Sequence, residues 1–340
     1  MSLKNYKSNF VLLLLAILIQ SNACSNANPP GEAPKAIKSN YLSLLPAETN
    51  ILIYANFEEL KKSPLGNDVK NEFKKKLKEE EDEDYQEFVQ KTGLNLEEDI
   101  REIWVGGLAT EEDKHFGGIL VKGDFNEKRI TDYMKKKHEG NFIEKTYNGS
   151  KIYITEDDDD ANITFLNNSL AVIGKEPWLQ AVIDQSGNSN ESVLNNTVMS
   201  KHLNEIEFKN HFWGILNLEE LSDDWAKNIK KNSKFNGTES IKNMKSVYFY
   251  TNFDTKTDVF IKGNFSTKEE AELIAEMLNG FKAMAKLMVS DDKEAIDLLN
   301  DIRIRTKGSV IEITTKVDKN FFDKFKEKRA VFSEGKVKLL

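Results

Sequence analysis

REIWVGGLATEEDKHFGGILVKGDF, residues 101–125, is the stretch on which the fold turns. It reads as two strands around a polar turn at Thr110–Lys114, a hairpin. It closes on VKGDF (121–125), and 140 positions later that pentapeptide returns as IKGNF (261–265). The second copy also ends a hairpin, KSVYFYTNFDTKTDVFIKGNF (245–265), whose turn falls near Asp254–Lys256. Helical sequence follows both: NEKRITDYMKKK (126–137) and STKEEAELIAEMLNGFKAMAKLM (266–288). The Gly of KG[DN]F reaches backbone angles closed to other residues, and the Asp or Asn after it can cap a helix. Ser266 or Thr267, with Glu269 or Glu270 three residues on, resembles a capping box. The motif is therefore a strand-to-helix joint.

Two further echoes flank it in the same order. NFEEL (56–60) matches NLEEL (217–221), after the apolar runs ILIYA and FWGIL, and GSKIYIT (149–155) matches GSVIEIT (308–314). The three offsets are 161, 140 and 159 residues, colinear but not rigid. Such self-similarity points to a tandem duplication. NILIYANF (50–57), apolar and rich in Ile, suits a strand covered on both faces.

Each copy closes with more strands and a helix. The first has NFIEKTY, SKIYITE, NITFLN and SLAVIG before KEPWLQAVIDQ; the second has DIRIRTK and SVIEITTK before KNFFDKFKEK. The turns YNGS and TKGS suit tight hairpins. The expected fold class is α+β: two tandem repeats, each a mainly antiparallel sheet with helices packed on one face. The expected organisation is a signal peptide (1–23), a flexible tether (24–40), repeat one (41–185), a linker (186–205), repeat two (206–328) and a tail (329–340). In the helix of repeat two, Ile274, Met277, Leu278, Phe281, Met284 or Ala285, and Met288 follow helical spacing and should lie on the sheet. Met277, Phe281 and Met284 are the candidates for lining an adaptable apolar ligand site.

The N-terminus speaks to compartment. Lys4 and Lys7 precede an apolar run from Phe10 to Ile19, then Gln20, Ser21, Asn22, Ala23 and Cys24. A membrane span needs about 20 apolar residues, so this run has the layout of a secretory leader cut after Ala23. Cys24 is the sole cysteine, which rules out an intramolecular disulfide and a thiolate metal site. Its placement resembles the lipobox of bacterial lipoproteins, although Ser21 and Asn22 stand where that family carries Leu and then Ala or Ser. The resemblance implies lipidation of Cys24; the alternative is a plain signal-peptidase cut that leaves a free thiol on a secreted protein. LLPAETNILIYANFEELKKSPLGNDV (44–69) resembles a group of uncharacterised exported bacterial proteins that open with Leu-Pro-Ala, an apolar strand and Ser-Pro-Leu. Here these are Leu45, Pro46 and Ala47, then Ser63, Pro64 and Leu65. The resemblance implies an address and no activity.

Composition closes off several classes. The formal charge is −8, and −10 once Lys4 and Lys7 are removed, which argues against nucleic acid. There is no G-x-S-x-G, Walker loop or dinucleotide fingerprint. The four histidines, His115, His138, His202 and His211, include no close pair or H-E-x-x-H. The acidic run at Asp157, Asp158, Asp159 and Asp160 is a weak metal candidate, lacking the alternation and central Gly of a calcium loop. The charged segment 70–88 reads as a solvated helix or a partner-binding arm.

The expectation is a non-catalytic, membrane-anchored lipoprotein of the cell envelope, on the periplasmic face or the outer membrane, with no cofactor. Its partners would be the membrane, through the lipid anchor, and an apolar ligand such as a lipid or an envelope protein. The alternatives are an exported hydrolase with a site assembled from dispersed residues, and a cell-surface interaction module.

Overall fold

The computed structural model describes residues 41–63, 83–108, 116–155, 162–187, 191–206, 210–219, 243–253 and 256–318. Cys24, Ala23 and Asp157–Asp160 lie outside those residues, as do His115, the hairpin turn at 110–114, most of 70–88 and the helix expected at 319–328.

In chain order the elements are β1 (Ile51–Asn56), α1 (Phe57–Leu60), α2 (Glu83–Thr92), α3 (Leu96–Asp99), β2 (Glu102–Leu108) and β3 (Phe116–Lys122). Then come α4 (Glu127–Lys137), β4 (Phe142–Tyr147), β5 (Ser150–Thr155), β6 (Asn162–Asn167), β7 (Leu170–Gly174) and α5 (Glu176–Gly187). The rest are α6 (Thr197–Leu203), β8 (Phe212–Asn217), β9 (Met244–Phe253), β10 (Lys256–Phe265), α7 (Lys268–Met288), α8 (Lys293–Asp301), β11 (Arg303–Lys307) and β12 (Val310–Asp318). Short 3-10 turns sit at Leu42–Leu44 and Val193–Asn195.

All twelve strands join one antiparallel sheet in the order β11-β12-β10-β9-β8-β1-β2-β3-β7-β6-β5-β4. The expected α+β class and antiparallel sheet are what the chain forms. Instead of two separate sheets, β1 and β8 pair directly at the centre, with Tyr54 opposite Trp213 and Ile53 opposite Gly214. Outward from each runs its own hairpin, β2–β3 on one side and β9–β10 on the other.

Register aligns one row of side chains across the front face: Val172, Leu120, Trp104, Tyr54, Trp213, Tyr250 and Phe260. Tyr54 is wedged between two tryptophans, its ring 4.2 Å from Trp104 and 5.3 Å from Trp213. All three are buried. Aromatic pairs in such contact add about 0.5–1.5 kcal/mol beyond the area they bury.

Helices cover both faces, which corrects the expectation of one. On the front, α5, α6 and the two 3-10 turns bury Trp178, Leu179, Met199, Leu203, Leu42 and Val193 against the aromatic row. On the back, α4 sets Ile130 and Met134 against Val121, Phe165 and Ala171. Farther along the back, α7 sets Ala271, Ile274 and Ala275 on Phe265 and Ile311. The physical reason is that a strand buried on both faces needs cover on both, and the central strands carry apolar residues in and out alike. The stretch 186–205, read as a linker, contributes the buried Val193, Met199 and Leu203 to the front core.

The joints behave as the motif reading expected, with different residues in charge. The helix after VKGDF is capped by Asn126, whose side chain accepts from Arg129 N–H, while Asp124 pairs with Arg101. The helix after IKGNF starts on a full capping box between Thr267 and Glu270. Gly123 is needed for space rather than for backbone angle: a Cβ there would lie 2.8 Å from the Asp99 carbonyl. At the YNGS turn, Asn148 and Gly149 both take positive φ, 44° and 83°, as a two-residue hairpin turn requires.

A trough in the front face fixes α5. Gly106, Gly118 and Gly174 stand opposite one another on β2, β3 and β7. The Trp178 ring lies over them: a Cβ added at Gly106 would fall 2.5 Å from its Cη2 atom, and one at Gly118 2.4 Å from Cδ1. At Gly118 the same Cβ would also lie 2.3 Å from the Ile173 carbonyl, which cannot swing away. Gly118→Ala is expected to cost about 1–3 kcal/mol, read as a lower midpoint in denaturant. Gly187→Ala, where nothing lies within 4 Å, serves as the control and should be within about 0.5 kcal/mol of the parent.

Candidate functional site

Two places gather features that a core alone does not explain: a buried polar cluster on the front of the second half, and the outer side of α7.

The cluster grows from the motif lysines. In each copy of KG[DN]F the Lys points to the front face and meets a carboxylate. Lys122 Nζ lies 2.5 Å from Glu102, and Lys262 Nζ lies 2.7 Å from Glu205. Burial alone would lower the Lys122 pKa, but the Glu102 carboxylate reverses this and holds it above its ordinary value. Tyr54 is pushed far up, by burial first and then by Glu102.

Around Lys262, α6 delivers His202 to the sheet. His202 Nε2 lies 2.9 Å from Ser246 Oγ, and Asn264 Nδ2 donates to that same oxygen at 2.9 Å. The serine oxygen can accept from both neighbours or pass its own proton to Nε2, and the direction of that bond follows the imidazole tautomer. Nδ1 is 4.0 Å from Glu205 Oε2, too far for a hydrogen bond but close enough for its charge to act.

Serine, histidine and glutamate in this order have the layout of a nucleophile, its base and an orienting acid. Access decides what that layout can do. Ser246 and His202 are both buried beneath α6, and a nucleophile must reach a substrate. The cluster therefore ties a helix to the sheet. His211 is similarly committed: its Nδ1 accepts the Phe253 backbone N–H at 2.8 Å, and its ring stacks on Phe253. His138 ends α4 as its C-cap. Among the described residues no group of three or more His, Cys, Asp or Glu could hold a metal ion. Sequence spacing did not suggest Ser246 or Asn264; the signal available was that both lie in strands at positions whose side chains share a face with Lys262.

The second place is α7. The apolar stripe expected to lie on the sheet does so only at its start. Ile274 is buried, Met277, Leu278 and Phe281 are half-buried, and Met284 and Met288 are 53% and 87% exposed. The helix runs 21 residues, about 31 Å at 1.5 Å per residue, and its buried residues, Ala271, Ile274 and Ala275, all lie in its first half. Leu273, at 53%, and Leu287, at 77%, add to the uncovered surface. Of the candidate ligand residues, then, Met277 and Phe281 border the core while Met284 faces outward. α8, packed beside α7, has no buried residue.

The Leu-Pro-Ala opening is also placed. Leu45 is buried, Pro46 bridges to Ser192, and the Ala47 carbonyl accepts from Asn196 Nδ2 at 3.1 Å. These residues lock the start of the fold to the α6 approach.

No family model matches the sequence, and no curated protein matches it. One solved structure, described as crystal form I of TP0453, is similar over 83% of this chain and 94% of its own, with a TM-score of 0.46 and 8% sequence identity.

The His202 environment sets a pH dependence. Burial lowers its pKa from the ordinary value of 6.5, with Glu205 opposing and Lys262 reinforcing. The unfolded chain therefore takes up a proton first, and stability is lost as pH falls below about 6.5. Thermal midpoints measured from pH 7.5 to 5 should fall across that window, and His202→Gln should flatten the slope there while lowering stability throughout.

Proposed function

We propose that this chain is an exported, non-catalytic lipoprotein of the cell envelope, whose doubled body binds an apolar ligand or an envelope protein through α7. The observation that carries the binding reading is the uncovered apolar side of that helix. Isolated exposed apolar residues are ordinary, but four of the five large ones exposed among the described residues fall on one helix. The leader-like N-terminus and the lipobox-like position of Cys24 support the address, and the Leu45-Pro46-Ala47 opening supports membership in the exported group that it resembles.

The tandem repeat belongs to the same proposal. Ile53 stands opposite Gly214, and these are 161 residues apart, as are Asn56 and Asn217 in the NFEEL and NLEEL echo. With that offset the centre is reciprocal: Tyr54 faces Trp213, and their counterparts Ile215 and Leu52 face each other. Two copies of one unit related by a dyad through the sheet would pair in this way. The third echo does not share the symmetry. β5 pairs with β4 and β6, whereas β12 pairs with β10 and β11. The strand that takes the place of β12 in the first half is β7, and the β4–β5 hairpin is extra.

The hydrolase alternative has one observation in its favour, the contact between Ser246 and His202. It is answered by a fluorophosphonate probe, to which the folded protein should be inert; labelling at Ser246 would turn the cluster into a catalytic site. The envelope reading is tested by mass spectrometry of native material. The expected result is a chain beginning at an acylated Cys24, with lipid or a protein partner copurifying. An intact leader sinks the address. Leu287→Glu with Met288→Glu should leave stability within about 1 kcal/mol of the parent and abolish copurification; unchanged copurification sinks the role of α7.

A further inference from the structure

The apolar residues of α7 fall on two stripes. Ala271, Ile274, Ala275 and Leu278 face the sheet. Leu273, Met277, Gly280, Met284 and Leu287 form the second stripe, spaced by four, three, four and three residues. That alternation is the seam along which one helix packs on another. Leu273, Met284 and Leu287 are 53%, 53% and 77% exposed, so among the described residues these three go largely uncovered while Met277 borders the core.

We infer that its occupant is the α7 helix of a second copy, laid antiparallel across a two-fold axis near Gly280. This rests on the reading of α7 as the binding surface. The seam is close to a palindrome: Leu, Met, Gly, Met, Leu, with each Leu seven residues from the Gly. A two-fold contact must be self-complementary, and an antiparallel crossing at Gly280 sets Leu273 against the partner's Leu287. Gly280 brings the backbones close at the crossing, and a Cβ there would meet nothing of its own chain within 4 Å.

Charge chooses the same direction. Glu269, Glu270, Glu272 and Glu276 lie in the first half of the helix, and Lys282 and Lys286 in the second. Antiparallel packing sets acid on base, whereas parallel packing sets like on like. The exception, Lys268, is tied to Glu272 at 3.0 Å. One helix pair covers less than the ~800 Å² per partner of a stable interface. Association is therefore weak in solution and strengthened where a shared anchor confines the copies.

The test uses the exported, leader-processed chain carrying Cys24→Ser, which has no other cysteine. Gly280→Cys is compared with Asn279→Cys, one residue away and off the seam. Oxidation should link the Gly280→Cys chains into dimers at least about tenfold faster than the Asn279→Cys chains. Sedimentation should show a monomer–dimer equilibrium that Leu273→Glu with Leu287→Glu weakens at least about tenfold, with circular dichroism unchanged. Equal linking at both positions, together with a monomer at every concentration, overturns the dimer. If that monomer instead floats with phosphatidylcholine vesicles, and the double substitution prevents it, the seam meets a bilayer: the dimer falls and the binding role of α7 stands. If the seam alters neither behaviour nor copurification, both fall.

Discussion

The pairing of β1 with β8 is the contact on which this molecule depends. Each strand is the inner edge of its own half, and left alone each would expose a row of unpaired backbone groups with apolar side chains on both faces. Joined, they make the middle of a sheet of twelve strands. The aromatic row is centred there, with Tyr54 held between Trp104 and Trp213. The register at this seam decides how the faces of the two halves match. A slip by one residue would turn Trp213 to the face opposite Tyr54 and Trp104.

Much of this was legible in the chain, because the signals were local. The hairpin 101–125, the Asn-Gly turn at 148–149 and the Thr267–Glu270 cap each involve residues close in sequence, and each formed. What the sequence hid was non-local. The echoes showed two similar runs, but nothing in ILIYA or FWGIL says that the two strands would pair with each other. GSKIYIT and GSVIEIT are alike as strands yet occupy different positions, since likeness in a strand reports alternation and burial rather than neighbours. The stripe on α7 was visible as periodicity; how far the sheet extends beneath it depends on strands near residues 303–318.

The candidate site followed the same division. Met284 was identifiable from helical spacing, and its exposure was not. His202 looked unremarkable because its partners, Ser246 and Asn264, come from strands 44 and 62 residues farther on. The resulting cluster joins α6 to β9 and β10 through buried side chains. The imidazole lies between α6 and the sheet within hydrogen-bond distance of a serine hydroxyl, and its proton affinity is lowered first of all by the dryness of that location.

The glycine trough under Trp178 also governs the order in which the first half can assemble. β2 and β3 form a hairpin from neighbouring sequence, but the third wall of the trough, Gly174 on β7, lies beyond α4 and three further strands, β4, β5 and β6. Until β7 docks on β3, the indole has no complete seat. Contacts made between distant stretches slow folding, because the intervening loop must be closed first. The seat of the tryptophan is therefore complete only once β7 has docked, which couples the placing of α5 to the closing of the sheet on that side.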